Sequence, residues 1–347
     1  MAVQLSVNTK RNRTRALTAA LAIALTGVVV VDSAWAASTP VTEAKRTLIQ
    51  RVSNYQLPGT NVTASVVGGM ALTHSGGVEH AWVVKSNPWK SNSAGTGYGA
   101  LYHVSNFGTS SATTTAVPIK DNGSLVNLGH ANGLAYWRKP GTDYLVWGSF
   151  YIPTIGHGGA PQVIQINNQG QVTNKFGAKT TAGTLKNIAS ITHYKDDWFI
   201  VGTTGKVTSG DRVKKEYYTA KISGNNFILH TRFFVVTTQQ YSTGQDIYYD
   251  SAKDELLVPV VDKSTDGSYP VRKNRIIVAK LGGTITSDHT YEAARWIQLN
   301  VSSEDAYRFE FEGLARNLAG NLIVASDIVG PAPSKNPIDG IHKITGK

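Results

Sequence analysis

Beyond about residue 52 the chain has almost no helical periodicity. Apolar and polar positions alternate in short runs rich in Val, Ile, Thr, Tyr and Trp, and clusters of Gly, Asn, Asp and Ser separate the runs. A two-residue period bounded by turn formers predicts short strands with one face buried. Residues 41–51 (VTEAKRTLIQR) are the only stretch of this region whose spacing suits a short helix.

The strands repeat. An apolar strand recurs five times, as AWVVKS near Val83, YLVWGS near Val146, WFIVGT near Ile200, ELLVPV near Leu257 and NLIVAS near Ile323, at steps of 63, 54, 57 and 66 residues. A second strand follows each copy and ends in a small polar turn: LYHVSN, VIQINN, TAKISG, VAKLGG and IHKITG. A third motif precedes each copy: GGMALTH, HANGLAYW, IASITHY, GQDIYYD and EFEGLAR. A fourth strand follows the first four copies (TTTAVPIK, VTNKF, FILHTRFFV, ARWIQLN) and is missing from the fifth, which ends the chain. Units of about 60 residues and four strands that bury their faces on their own copies predict an all-β, five-bladed β-propeller. A β-sandwich or a pair of barrels would account for the strands but not for the fixed order of motifs. The missing outer strand of the last blade is expected from the N-terminal piece, around Arg51–Leu57, which would leave no open edge. The propeller is assigned to residues 51–347 and a lead-in to residues 37–50.

The first 36 residues have a different pattern. Lys10, Arg11, Arg13 and Arg15 precede an apolar run from Ala16 to Val31, and Ala34-Trp35-Ala36 follows as a small-x-small site. This is the layout of a secretory signal peptide, and the run is short of the ~20 residues of a spanning helix. The expectation is a secreted, extracellular protein without a transmembrane span after cleavage.

Composition then narrows the chemistry. The absence of cysteine excludes disulfides, thiolate metal sites and a cysteine nucleophile. With 41% hydrophobic and 16% charged residues the chain can bury a large core. The net charge of +11 falls to about +8 without residues 1–36, so the basic character belongs to the folded part as well. It points to a polyanionic partner such as an anionic wall polymer or membrane surface. The basic residues gather in Arg212, Lys214 and Lys215 and in Arg272, Lys273 and Arg275, in equivalent loops of adjacent units. These are expected to form an envelope-binding patch beside Tyr217, Tyr218 and Tyr269, and no nucleic-acid partner is assigned.

In a propeller the first strand of each blade lines the central channel. The polar residues of the third motif are therefore the ligand-binding candidates: His130, Asn132, Gln245, Asp246, Glu310 and Glu312, with Ser190 beside them. Glu310 and Glu312 stand two apart, which predicts a shared face at roughly 6.5–7 Å. That separation overlaps the range of paired glycosidase carboxylates. The alternative is a hydrated polar channel or a binding site without catalysis. Asp262–Ser268 resembles the start of a calcium loop but has Lys273 where the closing carboxylate belongs. No G-x-S-x-G, H-E-x-x-H or phosphate loop occurs. No cofactor is assigned, and a metal is left open.

Three segments resemble the helveticin J family, large heat-labile bacteriocins of lactic acid bacteria. They are Gly129-His130-Ala131-Asn132, Gly244-Gln245-Asp246-Ile247-Tyr248 and Phe309-Glu310-Phe311-Glu312-Gly313-Leu314. The similarity runs over about residues 120–347. Asn132 stands where relatives also carry an acidic residue, and some relatives lack a secretory signal. The resemblance implies a secreted antibacterial protein that binds the envelope of related Gram-positive bacteria without a lytic-enzyme motif. A lectin-like wall-polysaccharide binder, or a glycan-cleaving enzyme using Glu310 and Glu312, are the alternative readings.

Overall fold

The computed structural model describes residues 28–30, 41–87, 97–129, 132–139, 142–148, 162–204, 213–238, 241–243, 246–262, 273–283, 285, 293–299, 308–329 and 339–345. These contain strands and turns and no helix. The alternating pattern folds into antiparallel meanders. The first is Val66–Ser75, Val78–Ser86, Gly99–Ser105 and Thr113–Pro118. The second is Leu134–Lys139, Thr142–Gly148, Gln162–Ile166 and Val172–Thr180. The third is Ile188–Lys195, Trp198–Thr204, Val213–Ser223 and Asn226–Thr238. The fourth is Tyr248–Asp250, Glu255–Asp262, Lys273–Lys280 and Ala293–Leu299. The fifth begins Arg308–Arg316, Leu322–Val329 and Gly340–Thr345. The motifs read from the sequence fall on these strands in the expected order.

Residues 41–51 form a strand and not a helix. Val41–Arg51 pairs antiparallel with Gly340–Thr345, from Lys45↔Thr345 to Arg51↔Gly340, and supplies the fourth strand of the fifth meander. Its first four residues also run parallel to Trp296–Leu299 of the fourth. The completing strand thus lies ten residues before the expected Arg51–Leu57, inside the segment assigned as a lead-in. Local spacing suited a helix, but the unpaired edge of Gly340–Thr345 offers a full ladder, and Val41, Thr42, Thr47 and Ile49 fit a pleated surface. A short strand, Val28–Val30, runs parallel to Val235–Thr237.

Successive meanders bury their faces on each other. One apolar cluster joins the first and second meanders through Trp82, Val84, Leu134 and Ile164. Others join the second and third through Trp137, Val163, Phe199 and Val201, and the third and fourth through Tyr217, Phe234, Val258 and Ile277. The fourth meets the fifth through Leu257, Val278, Phe311 and Val324. The fifth meets the first through Met70, Val83, Ile323 and Ile341. Alternation explains the arrangement, since Val83 and Val84 point to opposite faces and enter different clusters. The architecture is all-β and propeller-like. Trp82 and Trp137 are core residues.

Lys85, fully buried, forms an ion pair with Asp339 and donates to the Val52 carbonyl at 3.0 Å and to Asn54 Oδ1 at 2.9 Å. His342 is 1% exposed, and burial, aided by Arg46, lowers its pKa to about 3. The fold therefore holds it neutral, whereas an unfolded imidazole titrates near 6.5. Stability is intact above pH 6.5 and drains as pH falls toward 3, by up to about 1.4 kcal/mol per pH unit. Urea midpoints measured from pH 7 to pH 4 are expected to fall more steeply in the natural chain than in His342→Gln. Parallel slopes would remove His342 from the account.

Candidate functional site

The innermost strands, Val66–Ser75, Leu134–Lys139, Ile188–Lys195, Tyr248–Asp250 and Arg308–Arg316, each contact the next, and the last contacts the first. One position is shared by all five motifs. It holds Gly69, Gly133, Ser190, Asp246 and Gly313, each followed by a large apolar residue: Met70, Leu134, Ile191, Ile247 and Leu314. A β-carbon on Gly69 would lie 2.7 Å from the Leu134 nitrogen, and one on Gly313 would lie 2.6 Å from the Met70 nitrogen. On Gly133 it would lie 2.9 Å from the Ile191 nitrogen and 3.0 Å from Asp246 Oδ1. Backbones meet at the three glycines with no room for a side chain, and only Ser190 and Asp246 carry one at this position. Gly69→Ala should therefore cost about 1–3 kcal/mol of overpacking. Gly177→Ala, whose nearest neighbour would be at 3.7 Å, should be close to neutral. Thermal denaturation of the two variants checks the contrast.

Register breaks mark the preceding position in three meanders. The ladder shifts between Val67 and Gly69, between Ile188 and Ser190, and between Phe311 and Gly313. The bulged residues are Gly68, Ala189 and Glu312, and a bulge re-aims its side chain. Strict alternation across Glu310 and Glu312 is lost there, and with it the ground for placing the two carboxylates on one face.

Glu312 is 1% exposed and Asp246 is 1% exposed. Lys215, expected in the surface patch, is 6% exposed and is attracted by both. Burial pulls the Lys215 pKa down to about 8, against the opposing pull of Asp246 and Glu312. Burial also drives the Asp246 pKa well above the carboxylate range. The amides of Ile247, Leu134, Met70 and Ile191, from four meanders, oppose that rise, and Ile247 N donates to Oδ1 at 2.9 Å. Asn132 is buried at 7% and Ser190 completely. The structure thus gathers Asn132, Ser190, Asp246, Glu312 and Lys215 at the centre, sealed from solvent. Each of the five is at most 7% exposed. Asp246 holds its place as the hub of these amides, which corrects its reading as a lining residue of an open channel.

His130, Gln245, Arg212 and Arg272 fall outside the described residues. Glu310, Lys214 and Lys273 stand on described strands, but their side chains lie outside the description. Arg275 is half-buried. The patch as drawn loses Lys215, because residues 213–223 form a strand and not a loop, and Lys215 is buried within it. Most of the calcium-like loop is also outside the described residues. No group of three or more His, Asp or Glu among the described residues is placed to hold a metal. No helix among them is long and apolar enough to cross a membrane.

An accessible hollow opens at the other end of the innermost strands, past the sealed centre. It measures about 180 Å³ and draws its walls from all five meanders. Tyr136, Tyr194, Tyr248 and Tyr249 supply aromatic surface, His74 and His193 imidazoles, and Thr192, Ser251 and Arg316 polar groups. Tyr194 and Tyr249 meet edge to face at 4.8 Å. Their hydroxyls donate to the Gly283 carbonyl at 3.0 Å and to Asp254 Oδ1 at 2.9 Å, which fixes both rings. Arg316 forms a buried ion pair with Asp250 and donates to the Gly320 carbonyl at 3.0 Å. Sequence reasoning looked at the entry ends of these strands and missed the exit ends. The signal was present two to five positions further along each motif, where Tyr, His, Thr and Arg replace the aliphatic pattern.

No protein-family model and no curated protein sequence matches the chain. Among solved structures it is similar to the catalytic domain of a Coprinopsis cinerea GH62 α-L-arabinofuranosidase, at 13% identity, with 89% of this chain and 98% of that chain covered and a TM-score of 0.45. It is also similar to an α-L-arabinofuranosidase from Lactobacillus brevis, at 10% identity, covering 81% and 91%, with a TM-score of 0.48. A GH43_1 enzyme from Xanthomonas citri, solved with xylose, is similar at 10% identity, covering 72% and 90%, with a TM-score of 0.40. Likenesses at this level leave the activity of the chain open.

Proposed function

We propose that the chain is a five-bladed β-propeller that binds carbohydrate in the hollow at the exit ends of its innermost strands. The cyclic contacts of those strands and the apolar clusters between successive meanders support the ring. The observation that carries the binding reading is the make-up of the hollow: four tyrosine rings beside Thr192, Ser251 and Arg316. A sugar ring offers apolar C–H faces and hydroxyls together, and such a wall meets both. Hydrolysis needs two carboxyl groups flanking the scissile bond. The described lining contains no carboxylate, and Glu312 is buried in the central cluster, so the reading is recognition and not cleavage.

Titration calorimetry of the full chain with xylose, arabinose, galactose and glucose, and with the linear hexasaccharide of each, tests this. Saturable binding of at least one sugar is expected, weakened tenfold or more by Tyr249→Ala. Absence of binding across the panel rejects the reading.

The resemblance to the helveticin J family supports a setting for such a ligand: the envelope polysaccharide of Gram-positive bacteria, reached by a secreted chain, with growth inhibition as the outcome. A spot-inhibition assay on lactic acid bacteria checks it. Growth unaffected by the purified protein leaves a carbohydrate binder without antibacterial action.

A further inference from the structure

Resting on the carbohydrate reading, we propose that the hollow is the closed end of a longer groove, which runs out between the first and second meanders and holds successive units of one glycan chain. A second cavity, of about 320 Å³, lies between those meanders and shares two wall residues with the first, His74 and Tyr136. His74 has a side chain 41% exposed and Tyr136 is half-buried, so the wall they share is open to solvent. Tyr136 and Arg138 stand two apart on the strand Leu134–Lys139, which sets both on the face toward the first meander. The lining thereby continues from one cavity to the other along a single strand.

The outer cavity repeats the chemistry of the inner one. Trp82 and His103 stack with ring centres 4.0 Å apart and planes 10° from parallel. Trp82 Nε1 donates to Thr73 Oγ1 at 3.0 Å, and the His103 ring meets His80 at 3.0 Å between Nε2 and Nδ1, so the platform is held in place. The exposed Arg138, Asn168 and Gln169 line the same cavity. Planar guanidinium and amide groups bond vicinal hydroxyls in pairs, while the half-buried His103 ring, backed by the buried Trp82, offers a face to the sugar.

Size favours one extended ligand. At 180 Å³ the inner hollow falls below the ~300–1,000 Å³ common for ligand sites, and joined to the outer cavity it lies within that range. Two adjoining sites of like chemistry fit a ligand made of like units better than two unrelated small molecules. The occupant is therefore an oligosaccharide or polysaccharide with one end seated at the ring centre.

The calorimetric panel described above decides this when each sugar is compared as monosaccharide and hexasaccharide. The hexasaccharide is expected to bind at least tenfold more tightly. His103→Ala should bring it down to the monosaccharide level and leave monosaccharide affinity unchanged. Because His103 packs on Trp82, the double variant Arg138→Ala with Gln169→Ala, at exposed positions, should give the same loss in a fully folded protein. Equal affinity for both lengths in the natural chain overturns the groove and leaves the inner site standing. Undiminished hexasaccharide binding in both variants also overturns it. Failure of every sugar to bind at either length overturns the groove together with the reading it rests on.

Discussion

A chain that starts at residue 52 is expected to lose cooperative folding, whereas one that starts at residue 37 keeps it. The first lacks Val41–Arg51, the strand that pairs with Gly340–Thr345 and completes the fifth meander. Without it the ladder from Lys45↔Thr345 to Arg51↔Gly340 is gone, and the buried side of Ile341 and Ile344 opens to water. Lost ladder bonds at about 1 kcal/mol each, added to the lost apolar burial, approach the ~5–15 kcal/mol that holds a typical domain together. Circular dichroism and urea melts of the two truncations give the measurement. Adding a synthetic peptide of residues 41–51 to the shorter chain should restore part of the transition, as strand addition does at any exposed edge. A sharp, unshifted melt from residue 52 onward would show that the meander is stable with three strands.

Lys85→Ala is expected to cost about 3–5 kcal/mol, because it strands Asp339, itself 3% exposed, as a buried charge without its cation. The substitution also leaves the Val52 carbonyl and Asn54 Oδ1 without the ammonium that now binds them. Those groups belong to the segment that follows the N-terminal strand, while Asp339 precedes Gly340–Thr345, so one side chain fastens both ends of the chain to the first meander. The double variant Lys85→Met with Asp339→Leu, which removes both charges and fills their volume, should recover much of the loss. A thermal melt in which the single variant matches the natural protein would place the pair outside the stabilising interactions.

Much of the fold was legible because its signals are local. Alternation and turn residues need only neighbours, and the repeated motifs multiplied a weak signal. The N-terminal strand was not legible, because nothing within VTEAKRTLIQR shows that an edge waits some 300 residues away. The central cluster was half legible. The third motif singled out Asn132, Asp246 and Glu312, which the structure brings together. Lys215 was assigned to the surface because the basic cluster was read as a loop between strands, and its burial follows only from the ladder that residues 213–223 form. The carboxylate spacing at Glu310 and Glu312 assumed an unbroken strand, and the bulge at Glu312 removed that assumption. The tyrosines of the hollow were missed because only three of the motifs contribute any, one or two each, and their convergence exists only once the innermost strands stand side by side.

Among the described residues, the pairing of Lys45 with Thr345 joins strands about 300 positions apart along the chain. A nascent polypeptide cannot form it until Thr345 has left the ribosome. Each earlier meander can assemble on its neighbour as it emerges, but the final seam waits. Closing a loop of that size carries a large entropic toll, and non-local topology of this kind slows folding. During that interval the unpaired edge of Gly340–Thr345 is the place where a second molecule could pair instead, so dilution and rapid release should favour the monomer.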